Sequence, residues 1–399
     1  MRQEDSPLPL SGLRVVDLTR ILAGPFCSML LGDMGAEVIK VEPPGEGDPI
    51  RQQGTIVEGL SWYFAQFNRN KKSITLDLYA EEGKAILARL LERADVLVEN
   101  YRPGVLARMG FGEARLAALN PDLIVCGING YGSTGPYAER PAFDFIAQAM
   151  SGFMSVNGRE GEAPMRTATP ISDLVAGLYG AFGVACALVA RRGNVARGQR
   201  VESSLVNGLI SMMAYLSAQY LGTGQLPPRT GNEHPIAAPY GLYQAQDGQV
   251  AIAPSTDDVV RRLFRALGIE AMLERPEYAG YAERLLHRDA VNALVGERIR
   301  TGTVAHWIEH LNAAGVPCGR VADLRDVFSD PQVLAQEMVL EVEHPGHGPV
   351  RMTGFPVKLG ATPCRLRLPA PELGAHTEEV LADLGLAAEI PRLRAQKII

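Results

Sequence analysis

Cysteine is scarce in this 399-residue chain, and the five present are scattered: Cys27, Cys126, Cys186, Cys318 and Cys364. An odd number without CxxC spacing gives neither a disulfide framework nor a cysteine zinc site. Positive charge is in deficit too, with 39 Lys and Arg against 45 Asp and Glu and a formal net charge of −6. That balance argues against a nucleic-acid partner, which needs a basic surface. The first residues, MRQEDSPLPLSGL, carry no apolar signal core. The uncharged run Leu174–Ala190 is short for a membrane span and is interrupted by Gly177, Gly180 and Gly183. It reads as a buried core helix whose glycines let another backbone approach closely, so no membrane partner is expected. No P-loop and no Gly-x-Ser-x-Gly nucleophile elbow is present. What remains is a hydrophobic content of 46% with 21% charged residues, ordinary for a soluble globular protein of two domains in a reducing cytoplasm.

The first 130 residues alternate in the α/β manner. Residues 13–18, 37–41, 73–78, 95–100 and 123–128 read as strands, with helices over 24–34 and 81–94. Short apolar strands separated by helices imply a mostly parallel sheet covered on both faces. Functional atoms then collect at the carboxyl ends of the strands. Here those ends carry Thr19 to Ala23, Glu42 to Gly45, Asn100 to Pro103 and a glycine loop after Ile128. The texture changes at Gly222-Thr223-Gly224-Gln225-Leu226-Pro227-Pro228, a linker-like stretch. A hairpin over 241–253 with an Asp-Gly turn and helices over 256–267, 290–300 and 303–314 follow. Residues 350–352 return to strand, and a last helix spans 376–384. The expected division is a large domain over 1–222, a small domain over 223–329 and a return to the large domain over 330–399.

Asp173 is the most informative residue. It stands in Pro170-Ile171-Ser172-Asp173 at the head of the uncharged helix, where unpaired backbone N–H groups and the helix dipole would keep a carboxylate ionised and aimed. Those are the requirements of a carboxylate nucleophile, although an ordinary N-cap has the same local sequence. Gly130-Tyr131-Gly132-Ser133-Thr134-Gly135 matches the dinucleotide fingerprint literally, but Pro136 and Pro141 follow where a helix should open. It reads as a glycine-rich active-site loop. His306 and His310 flank Glu309 in an order that differs from H-E-x-x-H, and no third ligand is indicated, so no metal is expected. Lys40, Arg69, Lys71, Lys72, Arg102 and Arg108 gather near strand ends and suggest a phosphate-bearing ligand.

Taken in order, these pieces resemble the family III CoA-transferases, the group of formyl-CoA transferase and L-carnitine CoA-transferase. The resemblance runs over essentially the whole chain. It is carried by Leu10 to Leu18, Ala23-Gly24-Pro25, Gly35 to Glu42, Asn68 to Ile74, Val98 to Gly104, Arg108 to Phe111, Gly135-Pro136 and Gly374 to Thr377. It implies a Rossmann-like large domain with a parallel sheet, a smaller central α+β domain and an interlocked homodimer. It implies CoA transfer between an acyl-CoA and a small carboxylic acid with no tightly bound cofactor. Asp173 falls on the family's catalytic aspartate, forming an aspartyl anhydride and then an aspartyl–CoA thioester. The CoA-binding positions carry over to Ile21, Leu22, Ala23, Leu76, Asn100, Tyr101 and Arg108, with Arg108 the best phosphate contact.

Two departures qualify the likeness. Some relatives place basic CoA contacts where this chain has Pro43 and Pro141. The glycine-rich substrate lid is replaced by Asn232-Glu233-His234-Pro235 and Ala238-Pro239-Tyr240-Gly241. Succinyl-CoA is a plausible donor, with Arg166 or His234 as carboxylate partners. An acyl-CoA racemase on the same fold is the first alternative, but it needs a titratable residue where Phe143 stands. A non-catalytic CoA-binding protein is the second.

Overall fold

The computed structural model describes residues 7–399. Among these residues the chain divides into two compact units. The first comprises the chain through Phe153, Arg166–Ala214 and Pro331–Ile399; the second comprises Met154–Met165 and Tyr215–Asp330. The second unit therefore takes in 154–165, inside the stretch expected for the large domain. Backbone pairing draws that segment in: Arg159 bridges Thr230, and the Gly231 N–H donates to the Gly158 carbonyl at 2.9 Å. No composition shift marks it.

The first unit is built on a sheet of six parallel strands among the described residues: β1 (Arg14–Asp17), β2 (Glu37–Glu42), β3 (Lys71–Thr75), β4 (Val96–Glu99), β5 (Ile124–Asn129) and β6 (Arg200–Ser204). Their spatial order is β3-β2-β1-β4-β5-β6, the doubly wound Rossmann arrangement. The sequence marks five of these strands. It misses β6, whose Arg200-Val201-Glu202-Ser203-Ser204 lacks an apolar run because only its last two residues are buried. Helices α1 (Ala23–Asp33) and α2 (Glu81–Glu92) lie in two different apolar layers. Cys27 and Leu31 pack with Val15, Val38 and Val98, whereas Ile86, Leu87 and Leu90 pack with Val16, Ile39 and Leu97. Adjacent strand residues thus feed opposite layers, as the period of two requires.

Helix α3 spans Asp144–Met150 and α4 spans Ile171–Arg192. Helix α4 packs on α1 through glycine. A Cβ on Gly177 would stand 2.5 Å from the Ala23 carbonyl oxygen, and one on Gly183 would stand 2.6 Å from Val201. The close approach read from the glycine spacing is therefore real. Within this single chain the burial of α4 is one-sided. Val175, Ala176, Gly180, Ala181, Val184 and Ala187 face the interior, while Leu178, Phe182 and Val189 are exposed. Only one face of an uncharged helix needs to meet this core, and local hydropathy cannot show which residues lie on it.

Basic residues give a second correction. Lys40 and Lys71 are fully buried; Lys40 reaches Asp48 at 2.9 Å and Lys71 reaches Asp17 at 3.1 Å. Arg69 pairs with Asp33 at 2.8 Å, and Lys72 pairs with Glu37 and Glu379. Burial drives Lys71 down to about 8. Burial also opposes charge on Asp17, yet Lys71 and Lys40 hold it below its ordinary value. Three of the six cations proposed for a phosphate, Lys40, Arg69 and Lys71, are committed to buried ion pairs, because a buried charge must be paired, and Lys72 is held in partly exposed pairs.

The second unit has its own core around Val250, Leu263, Phe264, Val295 and Trp307. Its antiparallel sheet joins β7 (Gly241–Gln244), β8 (Gln249–Ile252) and β9 (Cys318–Arg320), with the expected hairpin turn at Asp247-Gly248. Helices α5 (Asp257–Ala266), α6 (Arg288–Ile299) and α7 (Val304–Ala313) cover it. Back in the first unit, β10 (Val339–His344) and β11 (Gly348–Thr353) form a hairpin, and α8 (Thr377–Asp383) closes on β3.

Candidate active site

In a sheet of this order, β1 and β4 are the neighbours whose crossovers leave in opposite directions, and a crevice opens at their carboxyl ends. That crevice is present as a cavity of about 260 Å³. Arg20 to Ala23 follow β1 into its wall, and Asn100 to Pro103 follow β4. The end of β5 contributes Ile128 and Asn129, the loop beyond it adds Ala138 and Arg140 to Phe143, and α4 contributes Asp173. The Arg20 N–H donates to Asn100 Oδ1 at 3.1 Å, and Asn100 Nδ2 donates back to the Arg20 carbonyl at 2.8 Å. These reciprocal bonds lock the two strand-end loops together. Ile21 has φ of +69°, a left-handed conformation that is costly for a β-branched residue. Its N–H donates to Asp48 Oδ1 at 3.1 Å, and Asp48 is held in turn by buried Lys40. Strain of this kind survives only where the surroundings over-determine it.

Asp173 occupies the third position of α4, but it does not cap the helix. Asp144 does so, at the start of α3: its Oδ1 accepts the Ser172 N–H at 3.0 Å and the Ser172 hydroxyl at 2.9 Å. Gln148 donates to its other oxygen at 2.7 Å. Among the described residues the Asp173 carboxylate has neither a hydrogen-bond donor nor an ion-pair partner. Burial and the nearby Asp144 charge raise it to about 7. The sequence argument that backbone N–H groups keep it ionised does not hold here: Asp144 takes the Ser172 N–H, backbone carbonyls take those of Ile171 and Leu174, and burial raises the Asp173 carboxyl. The result is a largely buried carboxylate at the cavity wall, in exchange with its acid near neutrality. Tyr63 stands in the same electrostatic environment, pushed up to about 12 by burial and then by the charges of Asp173 and Asp48.

Of the positions expected to touch CoA, the structure brings Ile21, Leu22, Ala23, Asn100 and Tyr101 into the cavity with Asp173. Leu76 is elsewhere. Its side chain is buried in the core beside Ile74 and Leu97, so only its backbone can meet a ligand. Arg108 lines a separate depression of about 290 Å³ with Lys84, Met109 and Arg115. Arg166 is exposed and lines neither space. His234 belongs to the second unit, stacked on Tyr215 and tilted against Tyr240.

The sequence reading named Arg20 only within the strand end Thr19 to Ala23 and gave no role to Arg140, Asp144 or Tyr63. Arg20 and Arg140, with Arg102, line the Asp173 cavity and form no ion pair among the described residues, though Arg140 lies 3.7 Å over the Tyr137 ring. Arg140 was legible in one respect: it adjoins Pro141, the position where a basic contact had gone missing.

A doubly wound α/β sheet with an arginine-lined crevice at its switch point and a carboxylate in its wall defines a class, an α/β protein with a cavity suited to an anionic small molecule. The matching sequence model is more specific. Residues 10–377 fit the one described as CoA-transferase family III, and the chain belongs to that family. It is 36% identical to the succinyl-CoA–D-citramalate CoA-transferase of Chloroflexus aurantiacus, covering 100% of both chains. It is 36% identical to the succinate–glutarate CoA-transferase of Agrobacterium fabrum, over 94% of this chain and 96% of the relative. A solved CaiB/BaiF family protein from Brucella suis superposes with a TM-score of 0.83 at 36% identity, over 95% of this chain and 100% of that one. The protein is therefore a CoA-transferase, and CoA thioesters are its substrates.

Proposed function

We propose that the enzyme moves CoA from succinyl-CoA to a small dicarboxylic acid, with Asp173 as the covalent nucleophile. An Asp173 oxygen attacks the donor thioester carbonyl, the C–S bond breaks, and CoA leaves as thiolate with a mixed anhydride on the enzyme. The thiolate attacks the aspartyl carbonyl and releases succinate, leaving an aspartyl–CoA thioester. The acceptor carboxylate attacks that carbonyl, expels the thiolate and forms a second anhydride. The thiolate takes the acyl group from it, and Asp173 is regenerated. Dividing the exchange into covalent steps is the advantage of a nucleophilic catalyst.

The observation that carries this reading is the unpartnered Asp173 carboxylate in a cavity with three unpaired arginines. Ile21, Leu22, Ala23, Asn100 and Tyr101 would hold the CoA arm, with Leu76 contributing backbone and Arg108 a phosphate contact. Succinyl-CoA and a dicarboxylate acceptor are supported by the named reactions of the two relatives and by the arginines, which suit a second carboxylate. Racemisation is disfavoured because Phe143, exposed at the cavity wall, cannot transfer a proton. A cytoplasmic homodimer belongs to the same proposal. The exposed stripe of Leu178, Phe182 and Val189 on α4, and exposed Phe145 on α3, are apolar surface that a second copy would cover.

The test is trapping. Succinyl-CoA with hydroxylamine should inactivate the enzyme and convert Asp173 to its hydroxamate, read by peptide mass spectrometry. Deuterium entering the acyl chain while Asp173 stays unmodified would instead establish a racemase.

A further inference from the structure

The β10–β11 turn reads His344-Pro345-Gly346-His347-Gly348, and it places two imidazoles against Glu372 far along the chain. One ring nitrogen of each histidine and a Glu372 oxygen lie within 4.8 Å of one another. Gly346 and Gly348 take φ of +80° and +69°, which lets the turn fold the two rings to a centroid separation of 5.0 Å.

Proton placement in this group is decided by chemistry. His347 Nδ1 lies 2.8 Å from the Glu58 carbonyl oxygen, which can only accept, so Nδ1 bears the hydrogen. Its Nε2 is then a lone pair 3.0 Å from Glu372 Oε1. Two electron-rich atoms at that distance require a cation between them, either a proton on the ring or a metal ion. His344 differs: its Nδ1 lies 3.1 Å from the Pro345 carbonyl oxygen and is also the nitrogen that faces Glu372, 3.9 Å from Oε1, while its Nε2 is buried with no hydrogen-bond partner among the described residues. The residue is 3% exposed, so bulk solvent does not reach that nitrogen. A histidine whose far N–H is fixed on a backbone carbonyl is oriented as metal-binding histidines are, and His347 is so oriented.

We propose that His344, His347 and Glu372 form a binding site for a divalent transition metal, with zinc the natural occupant of a two-histidine, one-carboxylate set. The spacing of 3.0 Å between His347 and Glu372 is near the ligand–ligand edge of about 3.3 Å in a tetrahedral zinc site. Glu372 is exposed and free to close the remaining gap, and water would complete the shell. The site ties three distant segments together: the loop at Glu58, the β10–β11 hairpin and the return segment at Glu372. It takes no part in the Asp173 chemistry and does not depend on that reading. It is also distinct from His306 and His310 in the second unit, whose rings stack on one face of α7.

Chelator-stripped full-length protein titrated with zinc chloride tests the proposal by calorimetry, with metal content measured after dialysis. One zinc per chain is expected, with a rise in melting temperature because only the folded chain assembles the site. His347→Ala and Glu372→Gln, both outside the core, should each weaken zinc binding at least tenfold, while His306→Ala leaves it unchanged. Cobalt(II) should give the visible absorption of a tetrahedral site, lost in His347→Ala. Less than one-fifth of an equivalent of zinc bound, or one equivalent undisturbed by either first-unit substitution, would overturn the site and leave His347 as an imidazolium paired with Glu372.

Discussion

Replacing Asp173 with asparagine should stabilise the protein at alkaline pH while abolishing transfer. The folded chain raises this carboxyl from 3.8 to about 7, by burial first and the Asp144 charge second. Between those values the unfolded chain has released its proton and the folded chain still holds it. The folded state binds more protons there, so its stability falls as pH rises through the window and levels off above 7. At about 1.36 kcal/mol per pH unit, a shift of roughly three units sets a ceiling near 4 kcal/mol. Screening by water in the cavity mouth reduces this to about 1–3 kcal/mol. Asparagine cannot ionise and escapes the cost. Urea denaturation of both proteins at pH 4, 6 and 8 measures the difference, and other carboxyl groups cancel between them. The gap should be near zero at pH 4 and largest at pH 8. A wild type as stable as Asp173→Asn at pH 8, or a gap that does not grow with pH, would refute the electrostatic account of the site.

Other consequences are equally direct. Transfer by the wild type should rise as pH passes about 7, where the nucleophile loses its proton, and Asp144→Asn should move that midpoint downward; an unmoved midpoint clears Asp144 of any influence. Gly177→Ala drives a methyl group to 2.5 Å from the Ala23 carbonyl oxygen, so denaturation should show a loss of about 1–3 kcal/mol, and wild-type stability would mean that α1 and α4 separate freely. Arg140→Ala should raise KM for the acyl-CoA or the acceptor, and Arg108→Ala should weaken CoA binding measured by calorimetry; values within twofold of wild type would remove each arginine from ligand contact. Phe182→Glu puts a charge on the exposed stripe of α4, and sedimentation should then show a smaller species than the wild type, whereas an identical profile would place the dimer contact elsewhere.

Much of the sheet was legible because covered parallel strands are locally apolar. Val15-Val16, Val38-Ile39, Val96-Leu97-Val98 and Ile124-Val125 announce themselves within four residues, whereas the half-exposed β6 does not. The close approach of the α4 glycines was equally readable from sequence, and Asp173, Asn100 and Tyr101, singled out there, line one cavity. Linear order could not reveal which charges meet. Lys40, Lys71 and Arg69 look like ligand-binding cations until the fold pairs them with Asp48, Asp17 and Asp33. Asp173 looks like an ionised cap until Asp144 takes the Ser172 donors. Backbone preference and hydropathy act between near neighbours, so the sequence carries them openly. Burial, ion pairing and proton affinity depend on groups brought together from distant parts of the chain, and only tertiary structure decides them.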